Sequence, residues 1–402
     1  MNFGELDKKV VIEKIISSSD FLFIQDIDGV CVPLVKNPLE RKINMRYVID
    51  VSKIQNNFFV LTCGEHEGYR GVNRLIEKSL NSKSAPKKEG LYLPGLAACG
   101  AEYQNQFGVI DFPGVSDKEI KFLKSIPKLI SPKLKIMIKK LFPNLSEAEI
   151  KEQINSSIFD TRFSPTLNLN KLLDIGSSNH IRIEIQKEAH KLMQEILLKS
   201  KEYNLDDSFF LHISPNLGLD KEQEIIKLAS EKDLGTTDIQ FLLKGAYKDS
   251  GLLVLLNKFI YNKYGQSPFG ENFNFRNSPK TLKEKIELCK KNISPKHMPL
   301  IIGVGDTITS QENKTTHEWD RGGSDRSFLT LIQELGKAFQ KENQIIYVDS
   351  SSGEVYRPST RKDGLQGITD KADILKFNLV FRDGPKEYME WFSQLCSYKK
   401  KT

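Results

Sequence analysis

Two aspartates one residue apart follow an apolar run near the start of the chain. The run FLFIQ at residues 21–25 leads into Asp26, Ile27, Asp28 and Gly29. Gly29 allows the backbone to turn sharply, and two carboxylates this close repel each other unless a cation such as Mg²⁺ lies between them. The pair therefore suggests an aspartate that acts as a nucleophile, with a strand followed by an ordinary polar turn as the alternative.

Further polar residues follow other apolar runs. Thr62 comes after FFVL at 58–61, Lys244 after FLL at 241–243, and Asp306 after LIIGVG at 300–305. If these runs are neighbouring parallel strands, all these groups converge at one carboxyl edge of a sheet. Taken singly, each could be a turn, a cap or a helix boundary. Their order along the chain favours one site.

This set of groups fits phosphoryl transfer through a covalent aspartyl-phosphate. Asp26 would attack phosphorus, and Asp28 would protonate the leaving alkoxide and then deprotonate the hydrolytic water. Thr62 would donate hydrogen bonds to the phosphate, and Lys244 would add a positive charge. Mg²⁺ would be held by Asp26, the backbone carbonyl of Asp28, Asp306 and one further carboxylate.

The elements that must position these groups alternate along the first part of the chain. An amphipathic stretch at 44–55, a strand at 57–62 and a helix at 69–80 indicate a parallel sheet. Residues 100–111 alternate around Asn105 to Gly108 and predict a hairpin. The pattern resumes late in the chain, with strands at 300–306 and 344–349 and helices at 248–262 and 326–340.

Between these two parts the pattern of predicted elements changes. Helical segments and short strands alternate there, with helices at 117–127, 131–142, 146–156 and 187–203 and strands at 181–185 and 209–213. We therefore predict an α/β protein, a Rossmann-like parallel-sheet core with an inserted α+β cap domain. The predicted boundaries are 1–112 and 238–402 for the core and 113–237 for the insertion.

The order of these motifs resembles the haloacid dehalogenase superfamily of phosphatases, over residues 20 to 350. Longer strings closely resemble the cyanobacterial glucosylglycerol-phosphate phosphatase family, namely DGVC (28–31), LTCGEH (61–66), RGVN (70–73), LPGLAA (93–98), GDT (305–307) and RGGSDR (321–326). The insertion resembles the C2 cap of sucrose- and trehalose-phosphate phosphatases.

The resemblance implies a Mg²⁺-dependent phosphomonoesterase that converts glucosylglycerol 3-phosphate to the compatible solute glucosylglycerol during salt acclimation. The alternatives are a phosphatase of sucrose or trehalose phosphate, and a non-catalytic sugar-phosphate sensor or partner of the glucosylglycerol-phosphate synthase. The small-molecule sugar phosphate is the expected partner in the first two cases, and the synthase in the last.

The second aspartate of the metal shell is less direct to assign. In the superfamily an acidic residue follows the Gly-Asp pair closely, whereas here an insertion separates Asp306 from Asp325. Asp325 is favoured because it would cap the helix that starts at Arg326. Glu312 and Asp320 are the competitors.

Polar residues near Thr62 and in the insertion could bind the sugar. Glu65, His66 and Arg70 follow Thr62 and are predicted to lie near the mouth of the site, with a solvated loop as the alternative. A closing cap would exclude water and select the leaving group. Its candidate hydroxyl-binding residues are Arg162, Ser164, Asn168, Arg182, His212 and Ser214.

Composition excludes several classes of function. The net charge is +7, from 59 basic and 52 acidic residues in mixed-sign segments without aromatic interleaving, which argues against nucleic-acid binding. No apolar stretch is long enough to span a membrane, and the N-terminus lacks the pattern of a signal peptide, so a cytoplasmic protein is expected. The five cysteines show no CxxC spacing, so neither disulfides nor a zinc site are predicted.

Overall fold

The computed structural model describes residues 6–159, 162–221 and 223–398. Its strands are β1 Phe21–Gln25, β2 Phe58–Leu61, β3 Gly95–Ala97, β4 Glu102–Gln104, β5 Ile110–Asp111, β6 Ile158–Phe159, β7 Thr166–Asn168, β8 Phe209–Ser214, β9 Asn216–Asp220, β10 Gln223–Ile226, β11 Asp238–Leu243, β12 Leu300–Gly305, β13 Thr309–Glu312, β14 Trp319–Gly322, β15 Gln344–Val348 and β16 Leu379–Phe381. Its α-helices are α1 Lys8–Ser17, α2 Met45–Ser52, α3 Val72–Leu80, α4 Ala85–Glu89, α5 Asp117–Leu141, α6 Glu147–Asn155, α7 Asn170–Ile175, α8 Asn179–Lys199, α9 Lys248–Tyr264, α10 Leu282–Asn292, α11 Arg326–Phe339, α12 Thr360–Asp363 and α13 Pro385–Tyr398.

The larger sheet carries the predicted α/β core. In the described part of the chain it has eight strands in the order β16-β15-β12-β1-β2-β3-β4-β5. The strands from β16 to β3 are parallel, and the hairpin β4–β5 runs antiparallel at one edge. Gln25 is paired with Val304 on one side and Val60 on the other, so β12, β1 and β2 end at the same edge. The predicted α/β class is confirmed.

Strand β1 is buried on both faces because its side chains alternate between two cores. Phe21 and Phe23 pack into the core beneath α1, α2, α3 and α13. Leu22 and Ile24 pack into the core beneath α9, α10 and α11. Burying a side chain of this size stabilises a fold by roughly 1.5–3 kcal/mol. The central strand is thereby held in place from both sides, and with it the aspartates that follow.

The inserted segment forms its own sheet and core. Four strands in the order β6-β7-β11-β8 pair antiparallel, with α5 and α8 packed on them. The strand predicted at 181–185 is wrong, because these residues lie in α8. The alternation of apolar and polar residues at 181–185 is short. The buried residues Ile185, Ala189 and Met193 that follow from it are four residues apart, which is the spacing of a helix.

The apolar run before Lys244 also belongs to this smaller sheet. Strand β11 pairs antiparallel with β7 and β8. It is therefore not a parallel neighbour of β1, and the prediction that Lys244 follows a strand of the core sheet is wrong. The predicted boundary at residue 237 falls just before β11, and we place the second part of the core after Leu243 instead.

The cysteine prediction is also corrected. Cys63 and Cys99 form a disulfide, although 36 residues separate them in the chain. They meet because β2 and β3 are adjacent, and the Cys99 amide donates a hydrogen bond of 2.9 Å to the carbonyl oxygen of Thr62. Cys31, Cys289 and Cys396 are buried thiols of the core.

Candidate active site

Asp26 lies directly after β1 at the carboxyl edge of the larger sheet. Its amide donates to the Val304 carbonyl at 3.0 Å, and its Oδ1 accepts a hydrogen bond of 2.7 Å from the amide of Ile27. The side chain is almost completely buried. Burial raises the pKa of Asp26 to about 7, although the nearby ammonium of Lys248 acts in the opposite direction. A buried carboxylate at this edge needs positive charge around it to stay ionised.

Lys248 supplies part of that charge. It is the first residue of α9, and its Nζ donates to Asp26 Oδ2 and to Asp325 Oδ1, both at 2.6 Å. Burial alone would lower the pKa of Lys248, but the two carboxylates outweigh it and raise the pKa. The sequence predicts Lys244 in this place. The structure instead pairs Lys244 with Asp207 at the surface.

The sequence signal for Lys248 was present but indirect. The Lys-Gly pair at Lys244 predicts a residue of the site because it follows an apolar run. That run turned out to be β11 of the smaller sheet, and the chain reaches the active-site edge only where α9 begins. A lysine at the first position of an apolar helix that returns to the core was the better indicator.

Asp306 and Asp325 complete a cluster with Asp26. One carboxylate oxygen from each lies within 4.8 Å of the other two. Asp325 Oδ2 accepts hydrogen bonds of 2.9 Å from the amides of Asp306 and Thr307, which hold it against the end of β12. The structure thus brings Asp325 to the site despite the insertion. The competing residues Glu312 and Asp320 lie in the segment between Asp306 and Asp325, which forms the hairpin β13–β14.

The cluster has the properties of a divalent-cation site. Burial, and then the neighbouring Asp325 and Asp26, raise the pKa of Asp306 well above its usual value. A Cβ on Gly29 would lie 2.0 Å from Asp306 Oδ2, so the carboxylate occupies the space left by the missing side chain. Three buried carboxylates with one lysine fit a hard cation with oxygen ligands, such as Mg²⁺.

Asp28 is not part of this cluster and borders a cavity. Its side chain is about one-third exposed, and it forms an ion pair with Arg41. Arg41 also donates to the carbonyl oxygen of Arg70 and, through Nε, to that of Pro38 at 3.2 Å. The sequence reasoning missed Arg41, since no apolar run or motif marks its loop.

A cavity between the two sheets joins these residues to the inserted domain. Thr62 lines it from the end of β2, with its amide bonded to the Leu96 carbonyl at 2.9 Å and its Oγ1 accepting from the Gly64 amide at 3.3 Å. The residues from the core that line the cavity include Asp26, Asp28, Arg41, Thr62, Arg70, Thr307, Ser324 and Arg357. Those from the insertion and β11 include Asn168, Asn170, Ser214, Thr237, Asp238 and Gln240.

Arg70 is the one of the three predicted sugar-binding residues after Thr62 that lines this cavity. Its Nη1 donates to Asp238 Oδ1 at 2.9 Å, and Asn168 Nδ2 donates to the same oxygen at 3.0 Å. These contacts tie the core loop to β7 and β11. Arg70 therefore both borders the cavity and holds the two domains together.

Glu65 and His66 have other surroundings. Glu65 Oε1 accepts hydrogen bonds from three successive amides of the insertion, at residues 162–164, over 2.6–3.0 Å. His66 is fully buried, with Nε2 3.2 Å from the Gly95 carbonyl, and burial lowers its pKa to about 4. The structure places both outside the cavity lining, Glu65 as a link between the domains and His66 in the interior.

The candidate residues in the insertion also divide. Asn168 and Ser214 line the cavity. Arg182 donates to the carbonyls of Leu173 and Gly176 at the end of α7, and His212 is paired with Glu224 at 2.9 Å. Asn170 and Gln240, which the sequence reasoning passed over, each keep a buried side-chain oxygen without a hydrogen-bond partner in the described residues.

Comparison with protein families gives a match over nearly the whole chain. The model of the glucosylglycerol-phosphate phosphatase family matches residues 20–396. The chain belongs to this family. A glucosylglycerol-phosphate phosphatase of Synechocystis sp. (strain ATCC 27184 / PCC 6803 / Kazusa) is 39% identical over 408 residues, covering 98% of this chain and 97% of the relative. The predicted family and the predicted phosphatase class are confirmed.

Solved structures of low sequence identity are also similar to this family member. The C-terminal domain of trehalose-6-phosphate phosphatase from C. albicans has a TM-score of 0.50 at 10% identity, with 98% of each chain covered. A trehalose-6-phosphate phosphatase from Aspergillus fumigatus has a TM-score of 0.41 at 9% identity, with 98% of this chain and 100% of that chain covered.

Among the described residues, none of the helices has the length and apolar character needed to span a bilayer.

Proposed function

We propose that this family member is a Mg²⁺-dependent phosphomonoesterase that hydrolyses glucosylglycerol 3-phosphate to glucosylglycerol and phosphate. The observation that carries the proposal is the position of Asp26 and Asp28 in one cavity, with the buried carboxylate cluster and Lys248 behind them. The substrate follows from the 39% identical relative, which bears the name of that activity.

In this mechanism Asp26 is the nucleophile. Its carboxylate attacks phosphorus and displaces the sugar alkoxide, which takes a proton from Asp28. Asp28 then accepts a proton from the water that attacks the aspartyl-phosphate, and the Asp26 carboxylate is restored as phosphate leaves. Arg41 orients Asp28 through their ion pair.

The surrounding residues position the phosphate and keep charge balanced. Thr62 donates a hydrogen bond from its hydroxyl to a phosphate oxygen, and Lys248 holds Asp26 in place against Asp325. Asp26, Asp306 and Asp325 would hold Mg²⁺ together with the Asp28 carbonyl, and the ion supplies charge neutralisation at the phosphate oxygens. The role first given to Lys244 passes to Lys248.

The inserted domain is proposed to select the sugar. Asn170 and Gln240 present buried oxygens to the cavity that have no partner within the described residues. A sugar hydroxyl that donates to such an oxygen satisfies it, whereas a substrate without that hydroxyl leaves it buried and unpaired. These oxygens support recognition of a polyol such as glucosylglycerol. Compatible-solute synthesis in the cytoplasm, and contact with the synthase, remain predictions.

The test is phosphate release from glucosylglycerol 3-phosphate, sucrose 6-phosphate and trehalose 6-phosphate, with Mg²⁺ and with EDTA. We expect the highest kcat/KM for the first substrate, by about tenfold or more, since one well-placed hydrogen bond discriminates by this amount or more. A preference for either disaccharide phosphate would favour the alternative phosphatase. Turnover that survives EDTA would exclude the metal.

The Asp26→Asn variant tests the nucleophile. We expect its kcat to fall by about 10⁴-fold or more because no covalent intermediate can form. The control is Asp320→Asn, which removes an aspartate in the β13–β14 hairpin and should leave kcat within about twofold. Borohydride trapping of the wild-type enzyme during turnover should convert Asp26 to homoserine. Wild-type turnover of Asp26→Asn would contradict the mechanism.

A further inference from the structure

Two cysteines and a histidine meet where the inserted domain touches the core. The sulfurs of Cys63 and Cys99 and a ring nitrogen of His212 all lie within 4.8 Å of one another. Cys63 follows Thr62 after β2, Cys99 follows β3, and His212 lies in β8 of the smaller sheet. All three side chains are buried. The group thus joins the two domains beside the cavity, which Cys63 also lines, and none of the three side chains has a role in the proposed phosphoryl transfer.

One ring nitrogen of His212 is hydrogen-bonded, and within the described residues the other is not. Nδ1 lies 2.9 Å from Glu224 Oε1, while Glu224 Oε2 accepts from the amide of Ile213 at 2.7 Å and from Asn216 Nδ2 at 2.9 Å. Since the carboxylate accepts, the imidazole donates from Nδ1. The lone pair is therefore on Nε2, which is buried and has no hydrogen-bond partner in the part of the chain that the structure describes.

This pairing of a carboxylate with a histidine is the arrangement that supports a metal-ligating imidazole. The outer carboxylate fixes the tautomer and the ring orientation and increases the basicity of the free nitrogen. A cavity lined by Cys99, His212, Asn216 and Ser324 opens onto the same place. This cavity leaves room for a further ligand, such as water, beside Cys99 and His212.

We propose that Cys63, Cys99 and His212 bind a zinc ion when the Cys63–Cys99 disulfide is reduced. Two thiolates and an imidazole with one open position are a ligand set that zinc takes in proteins. The ligands of this site are sulfur and nitrogen atoms. The carboxylate cluster at Asp26 offers oxygen atoms instead, which suit Mg²⁺. The proposal goes beyond the phosphatase function and does not depend on it.

The chemistry of the change balances. A dithiol reductant supplies two electrons and two protons, the S–S bond between Cys63 and Cys99 breaks to two thiols, and the reductant closes to its own disulfide. Each thiol then releases one proton to solvent as its sulfur binds the ion. Because Cys63 and Cys99 belong to the core and His212 to the inserted domain, the bound ion fastens one to the other next to Thr62.

The test is a cobalt titration of the full-length protein in excess Mg²⁺, which occupies the oxygen cluster. One sample is reduced with a trialkylphosphine, which takes an oxygen atom from water and leaves the two protons on the sulfurs, and the other stays oxidised. We expect the reduced protein to bind one equivalent of Co²⁺ with thiolate-to-cobalt absorption, and added Zn²⁺ to displace it. The oxidised protein should show no such absorption. Absence of the thiolate band from the reduced protein would overturn the proposal without affecting the phosphatase assay.

Variants then assign the ligands. His212→Gln and Cys99→Ser should weaken Co²⁺ binding, and Glu224→Gln should weaken it by about 10–100-fold through the orientation of His212. The control is Cys289→Ser, which removes a buried free cysteine within α10 and should leave binding unchanged. Circular dichroism shows whether each variant is folded, and the comparison of reduced with oxidised wild type needs no variant. Wild-type affinity in His212→Gln would contradict the assignment.

Discussion

Lys248 links two carboxylates that would otherwise repel each other in a buried site. Its Nζ is 2.6 Å from both Asp26 and Asp325, and its side chain is 1% exposed. Removing one partner of a buried ion pair leaves uncompensated charge, which costs about 3–5 kcal/mol. The residue therefore supports the fold and, in the proposed mechanism, the attacking geometry of Asp26.

We predict that Lys248→Gln lowers kcat/KM by about 10²-fold or more, as the loss of a fixed charge near a reacting phosphoryl group does. Denaturant unfolding should also show a lower free energy of unfolding in the absence of divalent metal, because Asp26 and Asp325 then face each other without a cation.

Lys244 provides a matched control in the same segment of chain. It pairs with Asp207, whose side chain is 84% exposed, and surface pairs of this kind contribute about 0–1 kcal/mol. Lys244→Gln should therefore keep kcat/KM within about twofold of wild type. Equal losses in the two variants would contradict the placement of Lys248.

At the scale of elements, the turn after β1 fits the end of β12 through a missing side chain. Gly29 has φ of +78°, and a Cβ there would fall 2.0 Å from Asp306 Oδ2. Glycine is needed both for the left-handed backbone and for the close approach of the carboxylate. The two ends of parallel strands can meet only because this position carries no side chain.

We predict that Gly29→Ala lowers kcat/KM by about tenfold or more, since displacing a reacting geometry by about 1 Å costs up to about 10²-fold. The matched control is Gly270→Ala, where φ is +97° but no atom lies within 4 Å of the added Cβ. The Gly270→Ala variant places an alanine in an unfavourable backbone conformation, but its Cβ meets no other residue. Its melting temperature should fall modestly while its kcat/KM stays near wild type, and an equal activity loss in both variants would refute the contact.

The hairpin β13–β14 explains why Asp325 is so far from Asp306 in the chain. The hairpin begins after Asp306 and ends at Gly322. Next to it the Gly323 amide donates to Asn216 Oδ1 of the inserted domain at 3.1 Å. The hairpin lengthens the chain between the two aspartates without moving them apart, because both of its ends stay at the edge of the larger sheet.

For the whole molecule, we expect the carboxylate cluster to couple folding to metal binding. Burial raises the pKa of Asp306 well above its usual value, so its charged form destabilises the folded state without a cation. We predict that Mg²⁺ raises the melting temperature of the wild-type protein, by the equivalent of about 2.7 kcal/mol at a concentration 100 times Kd.

Asp306→Asn should remove that response and melt no lower than the wild type in EDTA, since it removes one of the repelling charges. Asp320→Asn should respond to Mg²⁺ as the wild type does. A melting temperature that is unchanged by Mg²⁺ in the wild type would argue against a metal at this cluster.

The stability of the whole molecule should also depend on pH through His66. Burial lowers its pKa to about 4, whereas an unfolded histidine has a pKa of about 6.5. Between these values the unfolded chain binds a proton that the folded protein does not. The contribution of His66 to the free energy of unfolding is therefore present above pH about 6.5 and is lost as the pH falls through about 4. The expected slope is about 1.4 kcal/mol per pH unit.

Denaturant unfolding of wild type and His66→Gln across this range measures the contribution as a difference, because other groups titrate in both proteins. The free energy of unfolding of the variant should fall less steeply with decreasing pH. Parallel curves would show that His66 is not buried in its neutral form.

The sequence by itself determined the α/β class, the family, and the strand ends that bear Asp26, Thr62 and Asp306. Strands buried on both faces appear as continuous apolar runs, and the residues that follow them must lie at one edge of a parallel sheet. Local patterns of this kind depend only on the backbone and on burial, so they can be read without the rest of the chain.

Only the tertiary structure decided which lysine reaches Asp26, that Cys63 joins Cys99, and that His66 is an interior residue. Lys244 follows an apolar run as a core strand would, and nothing local shows that β11 pairs with β7 and β8 instead. Strand pairing is set by contacts between residues far apart in the chain. The sequence reveals where a strand ends, but only the folded chain determines which ends are neighbours.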